Sequence, residues 1–335
     1  MGPQSKPDDD DVNKTLALWY DRPRSALLRE DTLPAPEAEQ ALVKMLWSGV
    51  SRGTERLVFE GRVPASEEER MRAPFQDGAF SFPVKYGYCA VGVIERGPSR
   101  RIGETVFCLH PHQTRFIAPL DMLHATPANV PPRRATLAAN METALNALWD
   151  SGAGPGDEIV VVGAGVLGLL VAFIAAQLPG ARVSLIDRES SRAAIAQSFG
   201  ARFALAQDAA PDGAADVVFH TSASAPGLAL ALASAGQEAT IVELSWYGDA
   251  QIAVPLGGAF HAKRLRLISS QVGQVSASRR PRWTYARRLN KALELLADPR
   301  LDALVDQEIA FADAAQEIPR ILAPDASGLA PVIRY

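Results

Sequence analysis

Hydrophobic and polar positions fall into two regimes along the chain. In the first, apolar residues come in short runs that turn residues interrupt. Residues 15–20, 25–30, 41–47, 88–95, 105–109 and 116–118 read as strands, and 41–47 alternates around Lys44. Pro34, Pro36, Gly97, Pro98, Gly103 and Pro111 punctuate them. Short strands with regular breaks predict a compact, irregular β-barrel. Residues 62–78 interrupt this series with a charged stretch that includes Glu67, Glu68 and Glu69. That stretch reads as a solvated helix or loop, and it is long enough to serve as a lid.

At Pro131-Pro132 the period changes. Leu137, Met141, Leu145 and Leu148 follow at three- and four-residue steps, the pattern of an amphipathic helix over 134–149. Strand-like and helix-like runs then alternate. Strands are expected at 159–162, 183–186, 203–205, 217–220, 239–244 and 265–269, with helices near 165–178, 190–199, 225–235 and 255–262. This alternation predicts a doubly wound, parallel six-stranded sheet. Residues 283–297 read as a helix and 303–311 as a strand. A short helix follows to about Leu322, with Asp313 as its N-cap unless Pro319 ends or kinks it early, and 332–334 reads as a closing strand.

The most informative stretch sits where the second regime begins. The run Ile159-Val-Val-Val162 leads directly into Gly163-x-Gly165-x-x-Gly168, then an apolar helix, then a strand that ends in Asp187. This order binds a dinucleotide. Gly163 permits the turn, Gly165 lets the backbone approach the pyrophosphate, and Gly168 brings helix and sheet together. The helix N-terminus at Val166 and Leu167 offers N–H groups to phosphate. Asp187 is placed to bind both ribose hydroxyls and repels a 2′-phosphate, so NAD is expected and NADP is less favoured. Arg188 weakens that preference. By the rule that ligands lie at strand carboxyl ends, Thr221, Ser222, Leu244 and Ser270 join the cofactor-binding set. His220, which ends the fourth strand of that sheet, is a further candidate contact.

Composition narrows the class without changing it. The chain has 335 residues, 47% of them hydrophobic, enough for two domains. A net charge of −4 argues against nucleic acid or an anionic membrane as partner. Arg279, Arg280, Arg282, Arg287 and Arg288 cluster, and read as a solvated helix start and helix face. No run is apolar enough to span a bilayer, and the N-terminus, with Asp8 to Asp11, lacks a signal pattern. The two cysteines, Cys89 and Cys108, form no disulfide framework, which fits the cytoplasm. Residues 1–13 are expected to be a disordered leader.

A β-rich first part, a central dinucleotide sheet and a short return resemble the medium-chain dehydrogenase/reductase superfamily. Trp47-Ser-Gly-Val-Ser51-Arg-Gly53-Thr54-Glu55 resembles the signature of its zinc-binding-alcohol-dehydrogenase-like branch, which includes bacteriochlorophyllide hydroxyethyl dehydrogenases. The resemblance implies a GroES-like catalytic domain over 14–134 and a Rossmann domain over 135–274. Residues 275–335 would then return to the catalytic domain, with substrate bound in the interdomain cleft. It also implies that Thr143 faces the nicotinamide. Where zinc-dependent relatives carry ligands, this chain has Ser51, Tyr88 and, on the helix before the cofactor domain, Ala139 or Asn140. Neutral Ser, Tyr and Ala offer no soft or imidazole donor, so zinc is not expected.

These substitutions imply hydride transfer with a protein hydrogen-bond donor in place of the metal. Tyr88 would supply its phenol, or else merely line the pocket. Ser51 would relay, and Glu55 or His112 would connect the site to solvent. His110 and His112 read either as satisfied turn residues or as one imidazole in the cleft. The expected activity is NAD(H)-dependent interconversion of a secondary alcohol and a ketone. Quinone or enone reduction and a non-catalytic NAD-binding sensor remain as alternatives. A small-molecule substrate and a homodimer are the expected partners.

Overall fold

The structure is a computed structural model that describes residues 14–335. The expectation of a leader over 1–13 therefore lies outside the described residues. The chain divides into two units, one running to Leu137 and resuming at Val305–Tyr335, the other comprising Ala138–Leu304.

The first unit opens with a hairpin of β1 (Lys14–Arg22) and β2 (Ser25–Thr32), followed by β3 (Gln40–Gly49). Helix α1 (Arg52–Phe59) comes next, an element the strand pattern did not predict. Its amphipathic face puts Glu55, Leu57, Val58 and Phe59 inside. The short strands β4 (Asp77–Gly78) and β5 (Val84–Lys85) precede β6 (Ala90–Arg96), β7 (Thr105–Cys108), β8 (Arg115–Pro119) and β9 (His124–Ala125). A single helical turn, α2 (Pro132–Ala135), closes this part. The stretch 62–78 contains only one 3-10 turn between α1 and β4, so it is loop rather than helix.

The second unit begins with α3 (Ala138–Ser151) and then alternates strand and helix. Its strands are β10 (Glu158–Val162), β11 (Arg182–Asp187), β12 (Arg202–Leu205), β13 (Ala215–His220), β14 (Ala235–Glu243) and β15 (Arg266–Ser269). Helices α4 (Val166–Ala175), α5 (Ala193–Ser198) and α6 (Ala225–Ser234) lie between them, and α7 (Tyr285–Leu295) follows the last strand. All six strands pair in parallel in the order β12-β11-β10-β13-β14-β15. This is the Rossmann sheet that the hydrophobic alternation predicted. β10 is apolar at four consecutive positions because a central parallel strand is covered on both faces. α4 is buried from Gly168 to Ala175, which explains why its sequence shows no polar face.

The chain then rejoins the first unit as β16 (Gln307–Ala310), α8 (Ala314–Ile321) and β17 (Pro331–Arg334). β17 pairs antiparallel with β3, with Val332 opposite Gly49 and Arg334 opposite Trp47. The resulting seven-stranded sheet runs β16-β17-β3-β6-β7-β9, and β8 pairs with the first half of β3, off this path. Together with the four-stranded sheet β2-β1-β5-β4 it forms the GroES-like, β-rich domain. Tyr20, Val58, Phe59 and Tyr86 share a core with Ile318, Ile321 and Ile333 of the returning segment.

Three expectations need correction. The return begins at Val305 rather than 275, because α7 packs within the second unit. Asp313 stands at the N-cap of α8 but makes no side-chain cap, while α8 passes Pro319 and ends at Ile321, close to the expected end. Arg288 is not on a solvated face. It is 2% exposed and donates to Glu142 Oε1 at 2.9 Å, to Asn146 Oδ1 at 2.7 Å, and to the carbonyls of Gln274 and Val272 at 3.1 and 2.5 Å. Burial raises the Glu142 carboxyl above its usual range even though Arg288 opposes the shift. The guanidinium thus ties α7 and the loop after β15 to α3.

Removing one partner of such a pair leaves the other buried and unpaired. We expect Arg288→Ala to cost about 3–5 kcal/mol in a urea denaturation, and Arg288→Met with Glu142→Leu to recover most of that loss. Equal destabilisation in the single and double variants would contradict this.

Candidate active site

In the first unit a chain of buried polar side chains converges on the start of α1. Ser51 occupies the N-cap position, and Glu55 reaches back so that Oε1 accepts the Ser51 N–H at 2.7 Å. This satisfies one of the free N–H groups of a helix start. The other oxygen, Oε2, accepts the Tyr20 phenol of β1 at 3.0 Å and lies 3.1 Å from His112 Nε2. His112 Nδ1 lies 2.7 Å from Ser48 Oγ of β3, which lies 2.9 Å from the Tyr335 hydroxyl. Glu55 and His112 are both 0% exposed, so neither meets solvent directly.

Tyr88 stands beside this chain. Its ring meets Tyr86 edge-on at 6.0 Å and stays partly accessible. Burial raises its phenol above the ordinary value, the neighbouring Cys89 adds to this, and hydrogen bonds from the Ser51 and Thr54 hydroxyls act in the opposite sense. The phenol is therefore held protonated. Ser51 touches Tyr88 through its hydroxyl but reaches Glu55 through its backbone N–H. An amide N–H passes no proton, so the hydroxyl cluster and the Glu55 network are neighbours rather than one relay.

The remaining candidates here are structural. His110 stacks on Phe116 with centroids 3.9 Å apart, and its Nδ1 meets the Pro111 carbonyl at 2.9 Å. Burial lowers its pKa to about 3. Cys89 and Cys108 are buried and unpaired, and burial raises both thiols. Ser51 and Tyr88 present hydroxyls already hydrogen-bonded to one another, and neither Ala139 nor Asn140 offers a soft or imidazole donor, so the residues at the ligand positions implied by the resemblance do not fit zinc. Among the described residues no group of three His, Cys, Asp or Glu side chains is arranged to hold a metal ion.

The second unit carries the dinucleotide motif. Gly163 has φ of +111° and packs on Thr221 and Ser222, and a Cβ on Gly168 would lie 1.9 Å from the Gly163 carbonyl oxygen. Gly165, the N-cap of α4, has open space where a Cβ would project, and Val166 and Leu167 are partly accessible behind it. Asp187 Oδ2 accepts the Ala164 N–H at 2.5 Å and Oδ1 the Glu189 N–H at 2.8 Å. Its carboxylate thus fixes the turn while keeping lone pairs outward, and Arg188 is exposed beside it. Glycine turn, open helix start and strand-end acid fit a dinucleotide.

Other predicted contacts divide. Thr221 Oγ1 donates to the Gly163 carbonyl at 2.8 Å, holding the turn. Thr143 donates to Ala139 O one turn back at 2.9 Å, and Ser270 donates to Asp150 at 2.7 Å, so both hydroxyl protons are engaged within the unit. Leu244 donates its N–H to the His220 carbonyl at 3.0 Å. Sequence reasoning missed Ser48, Tyr20 and Tyr335, because no spacing links residues so far apart. Glu243 was missed although an acid at a strand's carboxyl end is a legible signal. Burial raises its carboxyl, but hydrogen bonds and charge from His220, with bonds from Ser245, outweigh that and leave it low.

No protein-family model matches the chain. Solved structures do. L-idonate 5-dehydrogenase from Escherichia coli K-12 superposes with TM-score 0.78 at 15% identity, covering 96% of this chain and 98% of that one. Galactitol-1-phosphate dehydrogenase from Escherichia coli gives 0.77 at 18%, covering 96% and 100%. The alcohol dehydrogenase TADH from Thermus sp. ATN1 gives 0.74 at 19%, covering 96% and 99%.

His110 supplies a pH prediction. Its folded pKa lies below the unfolded value near 6.5, so the unfolded chain binds more protons between about pH 6.5 and about pH 3. Stability is present above that window and falls by up to ~1.4 kcal/mol per pH unit on acidification. His110→Phe, compared with wild type in urea unfolding at about pH 7 and about pH 5, is expected to lose less stability; parallel losses would refute the assignment. Taken together, the two units and their sheet orders give this chain the fold of the medium-chain alcohol and polyol dehydrogenases.

Proposed function

We propose that this chain is an NAD(H)-dependent oxidoreductase that interconverts a secondary alcohol and a ketone by hydride transfer, without zinc at the catalytic position. The observation that carries the reading is the Tyr88–Ser51–Thr54 hydroxyl cluster, two of whose members, Ser51 and Tyr88, stand where the resemblance puts zinc ligands. The fold shared with alcohol and polyol dehydrogenases supports the reaction class. Structures of this fold hold NADH in an alcohol dehydrogenase from Escherichia coli CFT073 and NADP in a dehydrogenase from Sinorhizobium meliloti 1021. Asp187 favours the former, since a 2′-phosphate beside its carboxylate meets like charge.

NAD, when bound at the glycine turn, supplies or receives the hydride. The chain's own part is to manage the oxygen and its proton. A buried phenol that stays protonated donates a hydrogen bond to a carbonyl oxygen and stabilises negative charge developing there. Ser51 and Thr54, both donors to the phenol oxygen, stabilise the phenolate if the proton moves. Glu55 fixes the start of α1 and hence the direction of both hydroxyls. The two buried, unpaired thiols agree with a reducing cytoplasm.

A panel of secondary alcohols and ketones, followed by nicotinamide absorbance, tests the reaction. On any substrate found, Tyr88→Phe should lower kcat by roughly 10²-fold with a smaller change in KM; unchanged turnover would remove Tyr88 from the chemistry. A stoichiometric, tightly held zinc in the purified protein would overturn the metal-free reading.

Calorimetry should show NADH binding at least roughly tenfold more tightly than NADPH. The reverse order would contradict the role given to Asp187.

A further inference from the structure

The carboxyl edge of the parallel sheet holds a second chain of buried polar groups that the proposed chemistry leaves unused. His220 ends β13 and is 0% exposed. Its Nδ1 lies 2.7 Å from Oε2 of Glu243, its register partner on β14, and its Nε2 lies 2.7 Å from Ser222 Oγ. The Tyr247 hydroxyl donates to the same Glu243 oxygen at 3.0 Å, and the Ser245 N–H donates to the other at 2.8 Å. The groups facing the imidazole are therefore Glu243 and Tyr247 from β14 and its following loop, and Ser222 with Ser224 from its own. Val162 is its register partner on β10, and α6 contributes Gly227. A Cβ on Gly227 would lie 2.8 Å from Nε2 and 2.1 Å from Ser222 Oγ, so only glycine leaves room for this contact.

Ser222 is the accessible end of the chain. It remains partly exposed, and its backbone N would lie 2.8 Å from a Cβ on Gly163, directly against the glycine turn. Ser224 Oγ accepts the Gly227 N–H at 3.1 Å and lies 2.9 Å from Ser222 Oγ, which leaves the Ser224 proton for Ser222. The polarity of Ser222 then follows from the imidazole. With Nδ1–H donating to Glu243, Nε2 accepts the Ser222 proton, and Ser222 has only a lone pair to offer outward. With the imidazole protonated, Nε2–H donates to Ser222, both lone pairs are taken, and the Ser222 O–H turns outward.

We propose that His220, held by Glu243, is a positioning residue that sets the hydrogen-bond polarity of Ser222 toward the ribose–phosphate part of a bound dinucleotide. Neutral His220 makes Ser222 an acceptor for a ribose hydroxyl; protonated His220 makes it a donor to a phosphate oxygen. The inference rests on the dinucleotide reading of the glycine turn and adds to it a contact set through a residue that itself touches no ligand.

The test is calorimetric titration of the full chain with NADH and with AMP. AMP covers the Asp187 side and lacks the nicotinamide ribose and second phosphate. Ser222→Ala and His220→Asn should each weaken NADH by roughly fivefold and leave AMP unchanged. Should His220→Asn fail to fold, Ser222→Ala decides alone, since it removes one partly exposed hydroxyl. Unchanged NADH binding in Ser222→Ala, or equal weakening of NADH and AMP, overturns the proposal. Wild-type protein that binds neither NADH nor AMP overturns the dinucleotide reading, and this inference with it.

Discussion

A carboxyl group buried away from water must find hydrogen-bond donors, and Glu55 finds them in the Ser51 N–H, the Tyr20 phenol and His112. These belong to the start of α1, to β1 and to the loop after β7. One side chain therefore ties together three segments that share no local sequence relation. Through His112 the tie extends to Ser48 and to Tyr335 beyond β17. The hydroxyls that bond the Tyr88 phenol, Ser51 and Thr54, stand at the start of the same helix. Their placement is a consequence of satisfying Glu55.

The Rossmann unit was legible because its signals are local. Four apolar residues before a glycine turn, and an acid at the end of the next strand, specify a strand, a helix start and a second strand without long-range information. The β-rich unit was less legible for the opposite reason. Short strands could be recognised, but α1 follows a strand directly and its polar face resembles a loop. The residues it buries depend on partners such as Tyr335, hundreds of positions away. Arg288 shows the same limit. In sequence it belongs to a basic run, and only the packing of α7 on α3 reveals it as the centre of a buried network.

The two units use buried polar chains differently. In the first, the path between Tyr88 and Glu55 passes through a backbone N–H, which fixes geometry but blocks proton movement. In the second, His220 joins Glu243 to Ser222 through side-chain atoms alone, so the hydrogen-bond direction at one end constrains the other. The first arrangement suits rigidity, and the second suits response. Gly227 and Gly163 make the second possible by leaving the space that any larger residue would fill.

The pairing of β17 with β3 has a consequence for how the chain reaches this state. The two strands belong to one sheet, yet residues 138–304 lie between them in sequence. Closing so long a loop from an unfolded chain is entropically expensive and kinetically slow. The cost falls if the inserted Rossmann unit folds first, because its strands and helices connect locally. Arg133 donates to the Val305 carbonyl at 2.8 Å, which holds the two crossing points of the chain close together. A folded insert whose ends are neighbours turns a long search into a short one, so the Rossmann unit doubles as an internal template that delivers the last strand to its sheet.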